Sequence, residues 1–343
     1  MRKEALRQAV EVDSRLAQLL GEREEIERER RRLSARERAL DEQQAARHRE
    51  LDRKAQALRE EEAKVQIACF SFPPHWSAAA GMQPEAALSL VHVTDRGVRA
   101  ALQACMEGTG IGEGGRDQRL PGRYSKLVLQ EAWRVENPGL MQGYQGAQRR
   151  VMALEGKVGA SLMKEKIRPE LYRSAADLPW ELQKSCGEVR LLHGTQPQLV
   201  MSILTNGMNE RFAGTSAGAL FGKGVYFADD SGKIDQYVTK DEKYIKSSPL
   251  HQRLFDGNCR HPGDVFYALV CRVTLGCSRI STCTPADFHP RAPERELCDV
   301  PGTTVPHHSL IARKATAKLR FDEYIFFHSD LTYPEYLVAY QRK

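Results

Sequence analysis

The first proline of the chain is Pro73, and the stretch ahead of it can fold in essentially one way. Residues 1–66 hold one glycine, no proline, 17 Lys or Arg and 16 Asp or Glu. Without helix breakers, and with half its residues charged, this segment predicts one long helix. Setting Leu19, Ile26, Leu33 and Leu40 at position d of a heptad places Leu16, Leu51, Leu58 and Val65 at position a. An unbroken register of that length marks a coiled-coil seam. The seam is only half filled, because Arg23, Arg30, Glu37, Gln44, Arg47, Lys54 and Glu61 take its other positions. The expectation is therefore weak self-association or pairing with a partner helix. The competing account is a single solvated helix held by Glu–Arg pairs three and four apart, each worth about 0.2–0.5 kcal/mol. Either way the segment supplies reach or association and no chemistry.

After Pro73, Gly, Pro and aromatic residues appear at ordinary globular frequency, and that shift is the clearest domain boundary. The formal net charge of +6 is spread over mixed signs, so nucleic-acid binding is not indicated. Eight cysteines include no Cys-x-x-Cys pair. There is no basic-then-apolar leader, and no apolar run reaches the roughly 18 residues that span a bilayer. The expectation is an intracellular, reduced, nuclear or cytoplasmic protein with no membrane association.

Residues 67–115 read as a linker or lead-in, with helical spacing from Pro84 to Glu107 and a glycine-rich loop from Gly108 to Gly115. Tyr124–Val135 alternates like a strand, and Leu140–Leu154 looks helical despite Gly143 and Gly146. A strand over Glu188–Leu192 delivers His193, Gly194 and Thr195 to a helix-like run, Pro197–Asn206. A loop of glycines and small residues follows, then a short strand with Val225, Tyr226 and Phe227. Glycine at that density lets backbone approach a ligand closely. Val265–Leu275 is dense in β-formers, and Glu323–Phe327 and Tyr333–Tyr340 are further strand candidates. Short strands with long loops and few intervening helices argue an α+β fold.

These motifs resemble the catalytic domain of poly(ADP-ribose) polymerases. The likeness rests on His193-Gly194-Thr195, on Phe221 to Ala228 (FGKGVYFA) and on the Glu323-Tyr324-Ile325-Phe326 strand. It is most like the tankyrase catalytic domain, through GMNERFAG, FYALVCRVTLG, PHHSLIAR and YPEYLVAYQ. The segment LQEAWRVENPGLMQGYQ resembles the domain's opening in members without an autoinhibitory helical subdomain. The resemblance implies a catalytic domain over 116–343, with two antiparallel sheets around a cleft for NAD. It also implies a protein ADP-ribosyltransferase, poly- or mono-, that releases nicotinamide. The alternative is a catalytically silent NAD- or ADP-ribose-binding module on a coiled-coil adaptor.

The family's His-Tyr-Glu triad falls on His193, Tyr226 and Glu323. Breaking the nicotinamide–ribose bond develops positive charge on the sugar, which a carboxylate near the ribose 2′-hydroxyl stabilises. Glu323 is expected there, facing away from Asp322 and Tyr324 because strand neighbours alternate. His193 is expected to donate to an adenosine-side ribose hydroxyl, and the Gly194 backbone to meet the nicotinamide carboxamide. Tyr226 would form a wall and Tyr237 stack on the ring. Thr195, Phe227, Ala228 and Lys233 complete the expected NAD-binding set. Two departures stand out. Ile234 occupies the place where many members carry a serine that binds the nicotinamide carbonyl, with Ser231 a candidate substitute. His251, Cys259 and His261 fall where tankyrase-like domains bind zinc but lack the ligand spacing, so no metal is expected.

Overall fold

The computed structural model describes residues 2–68, 72–76, 88–113, 124–154, 177–209, 221–222, 224–255, 259–281, 299–317 and 319–343. It divides into two compact units, Met1–Cys69 and Phe70–Lys343. The first is a single helix, α1 (Arg2–Ala68). Its side chains are described at 15, 20–23, 25 and 27–56, so Leu16, Leu19, Ile26, Leu58, Glu61 and Val65 lie outside them. Among the described residues no helix is long and apolar enough to cross a membrane.

The second unit is a mixed α+β domain. Strands β1 (Ser89–His92), β2 (Leu127–Glu136), β3 (Glu188–Thr195), β5 (Phe266–Thr274) and β9 (Thr332–Arg342) form an antiparallel sheet ordered β1-β2-β9-β5-β3. A smaller sheet is ordered β4-β8-β7-β6, from β4 (Val225–Phe227), β6 (Ser278–Ser281), β7 (Ser309–Ala312) and β8 (Glu323–Phe326). Only its β6–β7 pair is parallel.

Alternation along β5 explains the core. Tyr267, Leu269, Cys271 and Val273 enter one apolar cluster, with Leu191, Val200 and Phe227. Phe266, Ala268 and Val270 enter a second, with Leu102, Met106 and Ile234. All nine β5 residues are buried, as a strand covered on both faces requires. Pro334 sits in β9 where that strand pairs with β5 alone, since its pairing with β2 begins at Tyr336. A proline without an N–H is tolerated at such a one-sided position.

The region before the glycine-rich loop departs from expectation. Instead of one helix over Pro84–Glu107, Ser89–His92 is an edge strand and α2 spans Arg96–Cys105; residues 84–87 lie outside the described residues. Asp95 makes the break by accepting a hydrogen bond from the Val98 N–H at 2.9 Å, which caps α2. The helix α3 runs over Pro138–Ala153, capped by Asn137 and opened by Pro138, so its two glycines do not stop it.

Candidate active site

β3 ends on His193, Gly194 and Thr195, which pair with Leu269, Ala268 and Tyr267 of β5. Tyr226 and Phe227 of β4 lie opposite Ile325 and Tyr324 of β8, the strand that opens on Glu323. The sheets touch where Leu192 and Ala228 exchange backbone hydrogen bonds of 2.8 and 3.0 Å. Residues distant in sequence thus converge on the junction of two sheets.

The floor of the site is glycine backbone. A Cβ on Gly194 would lie 2.2 Å from the Ile234 carbonyl oxygen, so no side chain fits there. The helical turn Ser231–Ile234 and the following 3-10 turn Asp235–Tyr237 therefore rest directly on β3. Two carboxylates hold these turns. Asp230 accepts from the Gly232 N–H at 2.8 Å and from the Thr109 N–H at 2.9 Å. Asp235 accepts from the Tyr340 hydroxyl at 2.7 Å and from Arg342 Nε at 3.0 Å. Sequence reasoning missed both. The Asp-Asp-Ser-Gly run at 229–232 carries a capping signal for Asp230, but partners 121 and 105 positions away leave no local trace.

Lys233 links this turn to the triad. Its Nζ lies 2.8 Å from Glu323 Oε1 and 5.3 Å from the centre of the Tyr237 ring. Both charged side chains are buried, whereas Tyr237 keeps 37% of its surface exposed. Strand alternation separates Glu323 from its neighbours. Asp322 accepts from the Lys314 N–H at 2.7 Å, and Tyr324 donates to Asp229 at 3.1 Å.

His193 Nδ1 lies 2.9 Å from the Tyr226 carbonyl oxygen, which can only accept, so Nδ1 carries the proton. Burial lowers the ring's pKa, outweighing the bond to that carbonyl, which raises it. A neutral ring with its proton on Nδ1 offers a lone pair at Nε2. Phe227 packs against His193 with ring centres 5.4 Å apart. The Tyr226 hydroxyl accepts from the Phe221 N–H at 2.8 Å and donates to the Gly222 carbonyl at 2.9 Å, tying its ring to the incoming loop. Thr195 is buried at the end of β3. The donor-loop motif GMNERFAG lies outside the described residues from position 210 onward.

Ser231 does not take the role left by Ile234. It is fully buried, and its hydroxyl donates to the Met106 carbonyl at 2.8 Å. Ile234 itself belongs to the second apolar cluster.

Among the described residues, two groups gather metal-ligand atoms within 4.8 Å, Asp241–His251–His261 and His92–Glu131–Cys259. In the first, the Ile245 and Gly263 N–H groups donate to Nδ1 of His251 and His261 at 2.8 and 3.0 Å. With both Nδ1 lone pairs engaged by backbone N–H groups, His251 Nε2 bonds Asp241 Oδ2 at 2.7 Å, while His261 Nε2 stands 3.3 Å from the same oxygen without a hydrogen-bond partner. In the second, Arg99 Nη1 stands 3.3 Å from the same Glu131 oxygen that His92 reaches at 2.8 Å, so a cation already neutralises the carboxylate.

His193, Tyr226, Tyr237 and the Lys233–Glu323 pair thus gather where the two sheets meet. The model of the poly(ADP-ribose) polymerase catalytic domain family matches residues 116–342, about two thirds of the chain. The chain belongs to the poly(ADP-ribose) polymerase family, whose catalytic domains use NAD as co-substrate for ADP-ribosyl transfer.

Proposed function

We propose that this chain is an active NAD-dependent protein ADP-ribosyltransferase, acting inside the cell on protein acceptors. Within the family we place it nearest the tankyrases, on the motifs around FYALVCRVTLG and PHHSLIAR. The observation that carries the reading is the Glu323–Lys233 pair, set beside the Tyr237 ring on a turn that rests on Gly194.

The nicotinamide end of NAD lies between Gly194 and Tyr237. The Gly194 backbone provides one donor and one acceptor for the carboxamide, and Tyr237 provides a stacking face worth about 0.5–1.5 kcal/mol beyond area burial. His193 Nε2 accepts from a ribose hydroxyl on the adenosine side. Tyr226 forms the wall between them. Lys233 fixes the Glu323 carboxylate in one rotamer, so it meets the ribose 2′-hydroxyl without reorganising as positive charge builds on the sugar. The same carboxylate takes the proton of an incoming acceptor hydroxyl. Ile234 removes one hydrogen bond to the nicotinamide carbonyl, which weakens binding and leaves the reaction type unchanged.

The test is incubation of purified protein with labelled NAD, with Glu323→Gln as control. Label on protein that the variant loses supports the proposal, and its size distribution reads product length. NAD binding without transfer supports the silent module instead. Label that appears only when RNA or DNA is added points to a nucleic-acid acceptor.

A further inference from the structure

Along α1, the seam residues Leu33, Leu40 and Leu51 are each more than half exposed, at 61%, 55% and 57%. A helix that displays regularly spaced leucines over several turns has an unfilled apolar stripe. The charged residues interrupting that stripe indicate what fills it. In a parallel, in-register pair each seam position faces its own copy, so Arg23, Arg30, Glu37, Arg47, Lys54 and Glu61 would form six like-charge layers. Such layers oppose association.

Reversing one helix changes every layer, because a positions then face d positions. In the register where paired residue numbers sum to 91, Arg30 faces Glu61 and Glu37 faces Lys54, while Arg23 faces Ala68 and Arg47 faces Gln44. No like-charge layer remains. The same register sets Leu51 on Leu40, Leu58 on Leu33 and Val65 on Ile26, so apolar positions meet apolar ones. Shifting by one heptad breaks the match, since Arg30 then faces Lys54 and Gln44 faces Leu40. The glutamate pairs within the helix do not compete strongly: Lys54–Glu50 and Arg31–Glu27 are solvent-exposed pairs four apart.

We infer that α1 binds a second copy of this chain as an antiparallel coiled coil in that register. The two-fold axis falls between residues 45 and 46. The two Ala68 positions, each opposite Arg23 of the other helix, then stand about 68 Å apart at 1.5 Å per residue. The occupant is the chain itself because the complementarity lies within one sequence: its acidic seam positions match its own basic ones only when the copies run in opposite directions.

The test is sedimentation equilibrium of the full-length chain, with helix content checked by circular dichroism. The expected result is a reversible dimer. Arg30→Glu puts Glu against Glu61 in two symmetric layers and weakens the dimer roughly tenfold. Glu61→Arg does the same, and the double variant Arg30→Glu/Glu61→Arg restores the wild-type constant. A chain that stays monomeric at all concentrations overturns the inference. A dimer indifferent to Arg30→Glu indicates parallel pairing and also overturns it, as does one that Arg30→Glu strengthens, which marks the neighbouring register.

Discussion

Two of the buried ion clusters among the described residues of the catalytic domain are built differently. At the cleft, Lys233 and Glu323 meet beside a half-open aromatic ring. Across β3, β5 and β9 of the large sheet, Arg190 reaches Glu335 at 2.6 Å, and Arg272 reaches Glu188 at 2.7 Å and Glu335 at 3.2 Å. The Tyr144 hydroxyl donates to Glu188, the carbonyls of Pro179, Trp180 and Glu181 accept from the guanidinium groups, and the Trp180 ring lies 4.0 Å from Arg272. This second cluster is closed by protein partners and ties β3, β5 and β9 to the 179–181 segment. Such a network holds the fold. The Lys233–Glu323 pair lies beside the partly exposed Tyr237 ring, where the proposed reaction would use its charge.

The contrast is broken most severely at the closed cluster. Glu335→Ala strands two buried guanidinium groups and is expected to cost about 3–5 kcal/mol, read as a lower urea midpoint. Transfer activity per folded molecule should stay near wild type; a specific loss there would mean the two clusters are not separable. Glu323→Gln is expected to reduce the transfer rate about 10²–10³-fold. Its urea midpoint should move less than half as far as that of Glu335→Ala, because the amide still accepts from Lys233. Equal destabilisation by both variants would erase the distinction.

Ile234→Ser sharpens the comparison from the cleft side. It returns a hydroxyl to the turn on Gly194 and is expected to tighten nicotinamide-like inhibitors about tenfold, within the 1–3 kcal/mol of a buried hydrogen bond. Its cost is core stability, since Ile234 packs in the second apolar cluster. Calorimetric titration with nicotinamide measures the gain. The smallest effect is acid dependence. Burial alone would raise the Glu335 pKa, but Arg190 and Arg272 outweigh it and hold it below the ordinary 4.5. A carboxylate depressed in the folded state stabilises above its unfolded pKa, and that contribution is lost as pH falls through the folded value. Unfolding free energy should therefore decline below about pH 4.3 with a steeper slope in wild type than in Glu335→Ala.

Much of the fold was legible because strands and helices follow short periods. Phe266–Thr274 lies inside the β-rich run at 265–275, and Pro197–Asn206 is helical as its spacing predicts. The failure over Pro84–Glu107 has a local cause. Leu88, Val91, Val98 and Leu102 satisfy a helical spacing, yet Asp95 starts a new element between them. A four-residue strand is too short to declare its period, and β1 exists because β2 offers it an edge.

At the candidate site, His193, Tyr226, Tyr237 and Glu323 stand out as motif residues in the sequence, while the forces that hold them do not. Nothing near Lys233 announces its bond to Glu323, ninety positions on, and nothing near Asp235 announces Tyr340 and Arg342. The proton on His193 was likewise settled by the backbone of Tyr226 on another strand.

The sequence alone determined a long charged helix with a half-apolar seam, an α+β domain and the motifs of the poly(ADP-ribose) polymerase catalytic domain family. Helical and strand periods and family motifs are properties of neighbours along the chain. The tertiary structure alone decided which carboxylates are paired, where His193 keeps its proton and why Gly194 admits no side chain. Those outcomes depend on distances between residues far apart in sequence, which exist only after the sheets have closed on each other.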